Sequence, residues 1–521
     1  MAKLSLPPPD PNLVSSLPDG EAARAWLATQ SMSQPLRMLR ALLHEIRAID
    51  ASVVEPHRRM EILAILHAAV IQAEEGAVVR YAHKPLPLLP DEFDAFENAR
   101  RLWQSLAVAY LRAAPLLPPS QLLLALHRGA ACLRESLYCH YLAAIEVATE
   151  NLNLIYELLV TAESLGIQRL PVNDPEFGLR KDASIAGEVA WALLLNFCDP
   201  YRFTPAQLAV ANRGFSRWCD LASFQAQPDE DTHRSKALPL ARWPGAEDVA
   251  EGGPKWLEVR PVIRKIRKRV EALQAGETPE QLRLGRDLSA SACIKLMNIL
   301  DLALRPKVQP VGDRFEQATV DLVFSHTHLY QLLAGKPLEE NELSSKSATI
   351  SHDRVAVFGF DNAANRGDVV VNTQVPAEPW AVEEHWILRA APAGNQVVSP
   401  LLVGIRPRED EEAPVLAILF GLRQTSDGWL AARLRRLPMP AATGIYSVPV
   451  ATAMKGVQRQ AAFLLPADAK QEMPVSICLP TGSGVREGVF MSLGESPVEH
   501  LRVGEMLERG SNFIRFTYTR T

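Results

Sequence analysis

Cysteine is sparse in this chain: six in 521 residues, and none at paired spacing. Neither a disulfide framework nor a cysteine-based zinc motif fits that pattern. Cys132, Cys139, Cys198, Cys219, Cys293 and Cys478 therefore read as buried thiols. Excess positive charge is also missing, since 55 Lys and Arg face 60 Asp and Glu for a formal net charge of -5. Bulk electrostatic attraction to nucleic acid or to an anionic membrane is excluded on that balance. Long unbroken apolar runs are lacking too. "LAVAYLRAAPLL" and "VLAILFGL" are interrupted or too short to span a bilayer, so no membrane insertion is expected. The first twenty residues, "MAKLSLPPPDPNLVSSLPDG", hold one lysine and no apolar core, which is not a secretory leader. These absences lead to the expectation of a cytoplasmic protein.

What is present changes character along the chain. From Glu21 to about Leu221 the apolar residues recur at helical spacing, as in "PLRMLRALLHEIRAI", where Leu36, Leu39, Leu42, Leu43 and Ile46 share a face. The run "SQLLLALHRGAACLRESLYCHYLAAIEVATENLNLIYELLVTAESLG" is too long for one ordinary helix, so a break near Tyr141 or a bundle-spanning pair is expected. Thr204-Pro205 with Gln207 is a capping box with proline at the first helical position, and "ETPEQ" repeats the signature at Thr278. Residues 225–255 collect proline, glycine and acid and read as a linker, with a short strand at "ALPLAR". Helical segments are expected over 256–274 and from Thr278 to about Ala303. Near Phe315 the period drops to two, with Val320, Leu322 and Phe324 alternating against polar neighbours. A short helix "THLYQLLAG" follows, and beyond about Ala348 most of the chain reads as strand. The clearest hairpin turns at Asp427-Gly428. The expected fold is α+β and multidomain. Residues 1–20 form a loose N-terminus, 21–224 a helical domain, 225–255 a linker, 256–304 a helical segment and 305–521 a small β-barrel with extra strands.

Catalytic constellations fare poorly. His326-x-His328 puts its two rings on different faces of a helix, with no further ligand nearby. "AGKPL" lacks the upstream glycine of a phosphate loop, and Pro337 stands where its hydroxyl would be. "TGSGVREG" is followed by a strand, so no helix N-terminus is there to meet a phosphate. A non-enzymatic role is therefore expected. One stretch concentrates positive charge: "RPVIRKIRKRVEAL" lines Arg264, Lys265, Arg267, Lys268 and Arg269 beside an apolar stripe of Ile263, Ile266 and Val270. It is either a solvated helix face or a docking face for an acidic partner or nucleotide phosphates.

The segment "HWILRAAPAGNQVVSPLLVGI", residues 385 to 405, reads as strand, tight turn at Ala393-Gly394, strand. With "APVLAILFGLRQTSDGWLAARLRRLP" after it, the β region resembles the PilZ domain, a small β-barrel found in bacterial receptors for cyclic di-GMP. The match runs over roughly 305 to 465. That resemblance implies a bacterial signalling protein with cyclic di-GMP as ligand and no cofactor. It also implies an R-x-x-x-R arm before the first strand and a (D/N)-x-S-x-x-G hairpin on the guanine edge. On the arm stand Arg305, Lys307 and Arg314, without the family spacing. On the hairpin, Arg389 takes the Asp/Asn position and Ala391 the Ser position, while Gly394 fits. A competing alignment on "NAANRG" uses Asn362 and Gly367, with Ala364 replacing the serine and Arg354 and Arg366 nearby. Arginine can only donate where the family accepts, and an unsatisfied buried polar group costs roughly 1–3 kcal/mol. The hairpin's guanine grip is thus expected to be degraded, leaving two roles open. One is a cyclic-di-GMP effector, or a degenerate relative acting through a protein partner. The other is a helical scaffold or adaptor whose β domain is purely structural. Self-association stays open.

Overall fold

The computed structural model describes residues 4–31, 33–174, 183–227, 237–240, 253–306, 311–338, 375–406, 413–439, 445–452, 456–469, 473–493 and 499–521. They fall into two units, residues 1–310 with 423–429, and residues 311–422 with 430–521. In the first unit, helices α1 (Gly20–Thr29), α2 (Pro35–Ala51), α3 (Pro56–Ala77), α4 (Pro90–Ala113) and α5 (Pro119–Ala143) come in succession. They are followed by α6 (Thr149–Ser164), α7 (Ile185–Phe197) and α8 (Pro205–Trp218). Five of these eight open on proline, which fixes φ at a position whose N–H has no intrahelical acceptor. The capping box forms at α8: Gln207 N donates to Thr204 Oγ1 at 3.3 Å, and Thr204 N to Gln207 Oε1 at 3.0 Å. The long apolar run breaks at Ala144, whose φ of 52° lets Ile145 N close on His140 O at 3.0 Å. Residues 4–19, expected to be loose, are fastened: Ser5 N donates to Glu157 at 2.7 Å, and Leu17 is buried.

Short strands β1 (Ser223–Gln225), β2 (Ala237–Pro239) and β3 (Trp256–Glu258) form a small sheet in the order β1-β3-β2. Helices α9 (Arg260–Gln274) and α10 (Ala290–Ala303) complete the unit. Two sequence expectations are corrected here. The segment from Trp256 starts as strand, because Trp256 and Leu257 are claimed by β1 and β2. The Thr278 signature makes its cap, with Gln281 N donating to Thr278 Oγ1 at 3.2 Å, but winds only one turn. Arg283 and Gly285 take left-handed φ of 58° and 97°, so the next helix starts at α10 with Ser289 as its cap. The span Pro56–Arg80 is long and apolar enough to cross a membrane by length and composition alone, a feature the sequence reading did not single out. Ile62, Leu63, Leu66 and Val70 of that span are buried within the unit.

The second unit holds β4 (Thr319–Val323), α11 (His326–Ala334), β5 (Glu378–Glu383), β6 (Trp386–Ala390), β7 (Leu401–Arg406), β8 (Val415–Gln424) and β9 (Trp429–Arg436). Its six strands close as a barrel in the order β4-β5-β6-β9-β8-β7. The β8–β9 hairpin turns as expected, with Gly428 at φ 84° and Gly428 N on Thr425 O at 3.1 Å. The expected hairpin over 385–405 is not one. Strands β6 and β7 are separated by β9 and β8, and the true partner of β6 on that side is β5, through a turn at Glu384-His385. The apolar alternation was right about strands but could not name their neighbours. A second sheet contains β10 (Ile445–Thr452), β11 (Gly456–Leu465), β12 (Ser476–Pro480), β13 (Phe490–Leu493), β14 (Glu499–Arg509) and β15 (Phe513–Arg520), ordered β10-β11-β12-β15-β14-β13. Strand β14 was not anticipated: its register shifts twice against β15, which spoils the alternation. The core of this unit joins both sheets and α11 through Val323, Leu329, Leu402, Ile418, Phe463 and Phe513.

Candidate functional site

Arg389 and Gly394, expected at the ligand, are built into the barrel wall. Arg389 closes β6 with its side chain 3% exposed and pairs with Glu378, the first residue of β5. Its Nη2 donates to Asn395 O at 2.8 Å, and its guanidinium lies 5.1 Å from the Trp380 ring centroid. A Cβ at Gly394 would stand 2.2 Å from Arg389 Nη1 and 2.9 Å from Glu378 Oε2. Any side chain there would have to displace the tips of the ion pair. Ala391, in the serine position, is buried. Arg354, Asn362, Arg366 and Gly367 of the competing alignment lie outside the described residues, as does Lys307.

The arm residues separate. Arg305 belongs to the first unit and bridges Asp301 at 2.9 Å. Arg314 belongs to the second and is exposed. The segment around Arg314 is laid along β9. Asp313 N donates to Leu434 O at 2.8 Å, the Asp313 carboxylate accepts from Arg436 N, and His385 Nδ1 sits 3.2 Å from Gly312 O. That seating brings in two arginines the sequence reading did not single out. Arg433 lies 3.8 Å over the Trp386 ring, and Arg436 lies 4.5 Å over Phe315. Arg436 is exposed, and Arg433 and Trp386 are half-buried. A guanidinium stacked on a ring is held in a fixed plane, a geometry suited to bidentate bonding with phosphate or a base edge. The signal in the sequence was "WLAARLRRL", an arginine-rich strand opened by tryptophan; only the barrel register places the arm beside it.

The helical unit holds a different kind of polar group. Arg128 grips Asp174 through two bonds of 2.7 and 2.9 Å, and Arg134 reaches Glu188 at 2.8 Å while stacking 3.5 Å over Trp191. Burial raises the Asp174 carboxyl, but the bonds and charge of Arg128 overcome it and hold the carboxyl below its ordinary value. Burial, helped by Arg128, pushes the His67 imidazole down to about 3. Burial raises the Cys132 and Cys139 thiols, away from the nucleophilic thiolate. All six cysteines are buried thiols outside any disulfide. His326 is half-buried and stacks on Phe463, and desolvation there drives its imidazole down to about 4. Among the described residues no group of three His, Cys, Asp or Glu could hold a metal ion. A cavity of about 340 Å³ between residues 7–10, α2 and α4 is lined by Arg47, Arg100 and Arg101. Each of these arginines already has a carboxylate, Asp10 for Arg47 and Glu97 for the other two.

Residues 21–229, which take in α1 to α8, match the family model of the cyclic-di-GMP receptor FimW, N-terminal domain. The helical region is thus similar to the N-terminal domain of a cyclic-di-GMP receptor, while the barrel lies outside the match. No curated protein and no solved structure matches the chain.

Proposed function

We propose that this chain is a cytoplasmic, non-catalytic effector of cyclic di-GMP, whose barrel is PilZ-like and whose output passes through a protein partner. One juxtaposition carries the reading. A helical region similar to the front domain of FimW is followed by a closed six-stranded barrel that presents Arg314, Arg433 and Arg436 beside Trp386 and Phe315. Cyclic di-GMP offers two phosphates and two guanines, so it suits planar cations that both hydrogen-bond and stack. The ligand is assigned to this face because Arg389 is already occupied by Glu378. Titration calorimetry of the full chain with cyclic di-GMP tests it. The wild type should give saturable heat, and Arg314→Ala with Arg433→Ala should weaken binding at least tenfold. The scaffold reading keeps one observation in its favour, that Arg389, Ala391 and Gly394 serve packing alone. It predicts no saturable heat at all.

A further inference from the structure

Three elements of the helical unit bring their cations to one place. Arg213 and Arg217 stand one turn apart on α8, Arg269 lies on α9, and Arg283 lies in the turn between α9 and α10. Arg213 Nη1 donates to Leu284 O at 2.5 Å and to Asp287 at 2.8 Å, and Arg217 Nη1 donates to Arg283 O. The two α8 guanidiniums are therefore fixed, not waving in solvent. Arg217 is exposed, yet its guanidinium is held below its ordinary value, first by partial burial and then by Arg283, Arg213 and Arg269. Four like charges close enough to feel one another cost folding energy. Arg269 Nε is buried without a hydrogen-bond partner. Further along α9, Arg264, Lys265 and Lys268 make no ion pair among the described residues, whereas Arg267 is held by Asp301 at 3.0 Å. The chain as a whole is acidic, so this excess is local.

The far side of α9 decides what kind of partner fits. Val262, Ile263, Ile266 and Leu273 are buried, so the helix has no apolar face left to enter a lipid surface. The cations run from residue 260 to 269 of one helix, about 15 Å at 1.5 Å per residue, and continue onto α8. A band of charge along helix surfaces suits an extended chain with carboxylates. We infer that the α8–α9 face docks an acidic segment of a partner protein, with Arg217, Lys265, Lys268 and Arg269 as its anchors. This surface belongs to the helical unit and does not depend on a ligand at the barrel.

The test uses the full chain and a fluorescein-labelled deca-glutamate peptide followed by anisotropy at physiological salt. The wild type should bind, and Arg217→Glu with Lys268→Glu should weaken binding at least tenfold. Lys265→Glu with Lys268→Glu is the second variant, because neither lysine holds a backbone carbonyl and the fold is untouched by its loss. Arg24→Glu with Arg37→Glu, on α1 and α2 of the same unit, should leave binding within twofold. Absence of wild-type binding would overturn the inference, as would equal weakening by the control pair. Displacement of the peptide by stoichiometric cyclic di-GMP or by millimolar inorganic phosphate would also overturn it, since the face would then be a phosphate site.

Discussion

The helical unit and the barrel use arginine in opposite ways. Arg128 and Arg134 are sunk in the helical core, with side chains 7% and 9% exposed, and each is matched by carboxylates. Arg433 and Arg436 stay at the barrel surface and lie on aromatic rings instead. A buried pair holds helices in one arrangement and has no capacity left for a ligand. A ring-stacked guanidinium at the surface has its plane fixed by the ring, a geometry suited to an anion. Arg389 shows that the barrel contains both kinds: one strand before β7 it carries a wall-packed ion pair, and at β9 it carries the exposed stacks.

That contrast can be broken most severely in the helical core. Asp174→Ala leaves the Arg128 charge buried without its bidentate partner and should cost about 3–5 kcal/mol of stability, read as a fall in the denaturant midpoint. A loss under 1 kcal/mol would mean that the pair is not what organises the core. Next is Arg389→Asp, the change toward the residue that the PilZ resemblance implies at this position. It sets a second carboxylate beside Glu378 and should cost about 2–3 kcal/mol, less than the helical variant because Glu378 keeps some contact with water. If the variant instead gained affinity for cyclic di-GMP at full stability, the structural role of Arg389 would be wrong.

A smaller, pH-dependent effect belongs to Glu74, whose carboxyl burial pushes up to about 7 from 4.5 while Tyr81 donates to it at 2.7 Å. A raised carboxyl keeps its proton in the folded chain, so its stabilising contribution is present below pH 4.5 and is lost as pH rises through about 7. Glu74→Gln should thus raise stability by about 1–2 kcal/mol at pH 8 and by almost nothing at pH 4. The buried histidines act with the other sign. His67, pushed to about 3 by burial, and His140, pushed to about 4 by burial, are neutral in the fold. Their contribution is present above pH 6.5 and falls away as pH drops toward 4. Smallest of all, Arg433→Ala should change the stability of the chain by no more than about 1 kcal/mol, the scale of an exposed cation–π contact. A larger loss would place Arg433 with the structural arginines.

Much of this was legible in the residues because it is local. Thr204-Pro205-Gln207 needs only its own turn to cap α8, and Asp427-Gly428 needs only left-handed freedom to turn β8 into β9. The site was less legible because it depends on which strands are neighbours. Arg389 looked like a ligand residue until Glu378, eleven positions earlier, was seen across the β5–β6 pair. Arg433 and Arg436 drew no reading from the local pattern, because only the seating of residues 312–315 along β9 brings the arm beside them. Strand β14 and the one-turn stop after Thr278 failed for the same reason, since pairing and backbone strain overrode the local pattern.

The most direct measurement is hydrogen–deuterium exchange of the full chain with and without saturating cyclic di-GMP. If the barrel's arginine–aromatic face is the ligand site, protection should appear at residues 311–316, 385–390 and 430–437, and disappear in Arg314→Ala with Arg433→Ala. Protection confined to the helical unit, around Arg47, Arg100 and Arg101, with those three barrel segments unchanged, would contradict it.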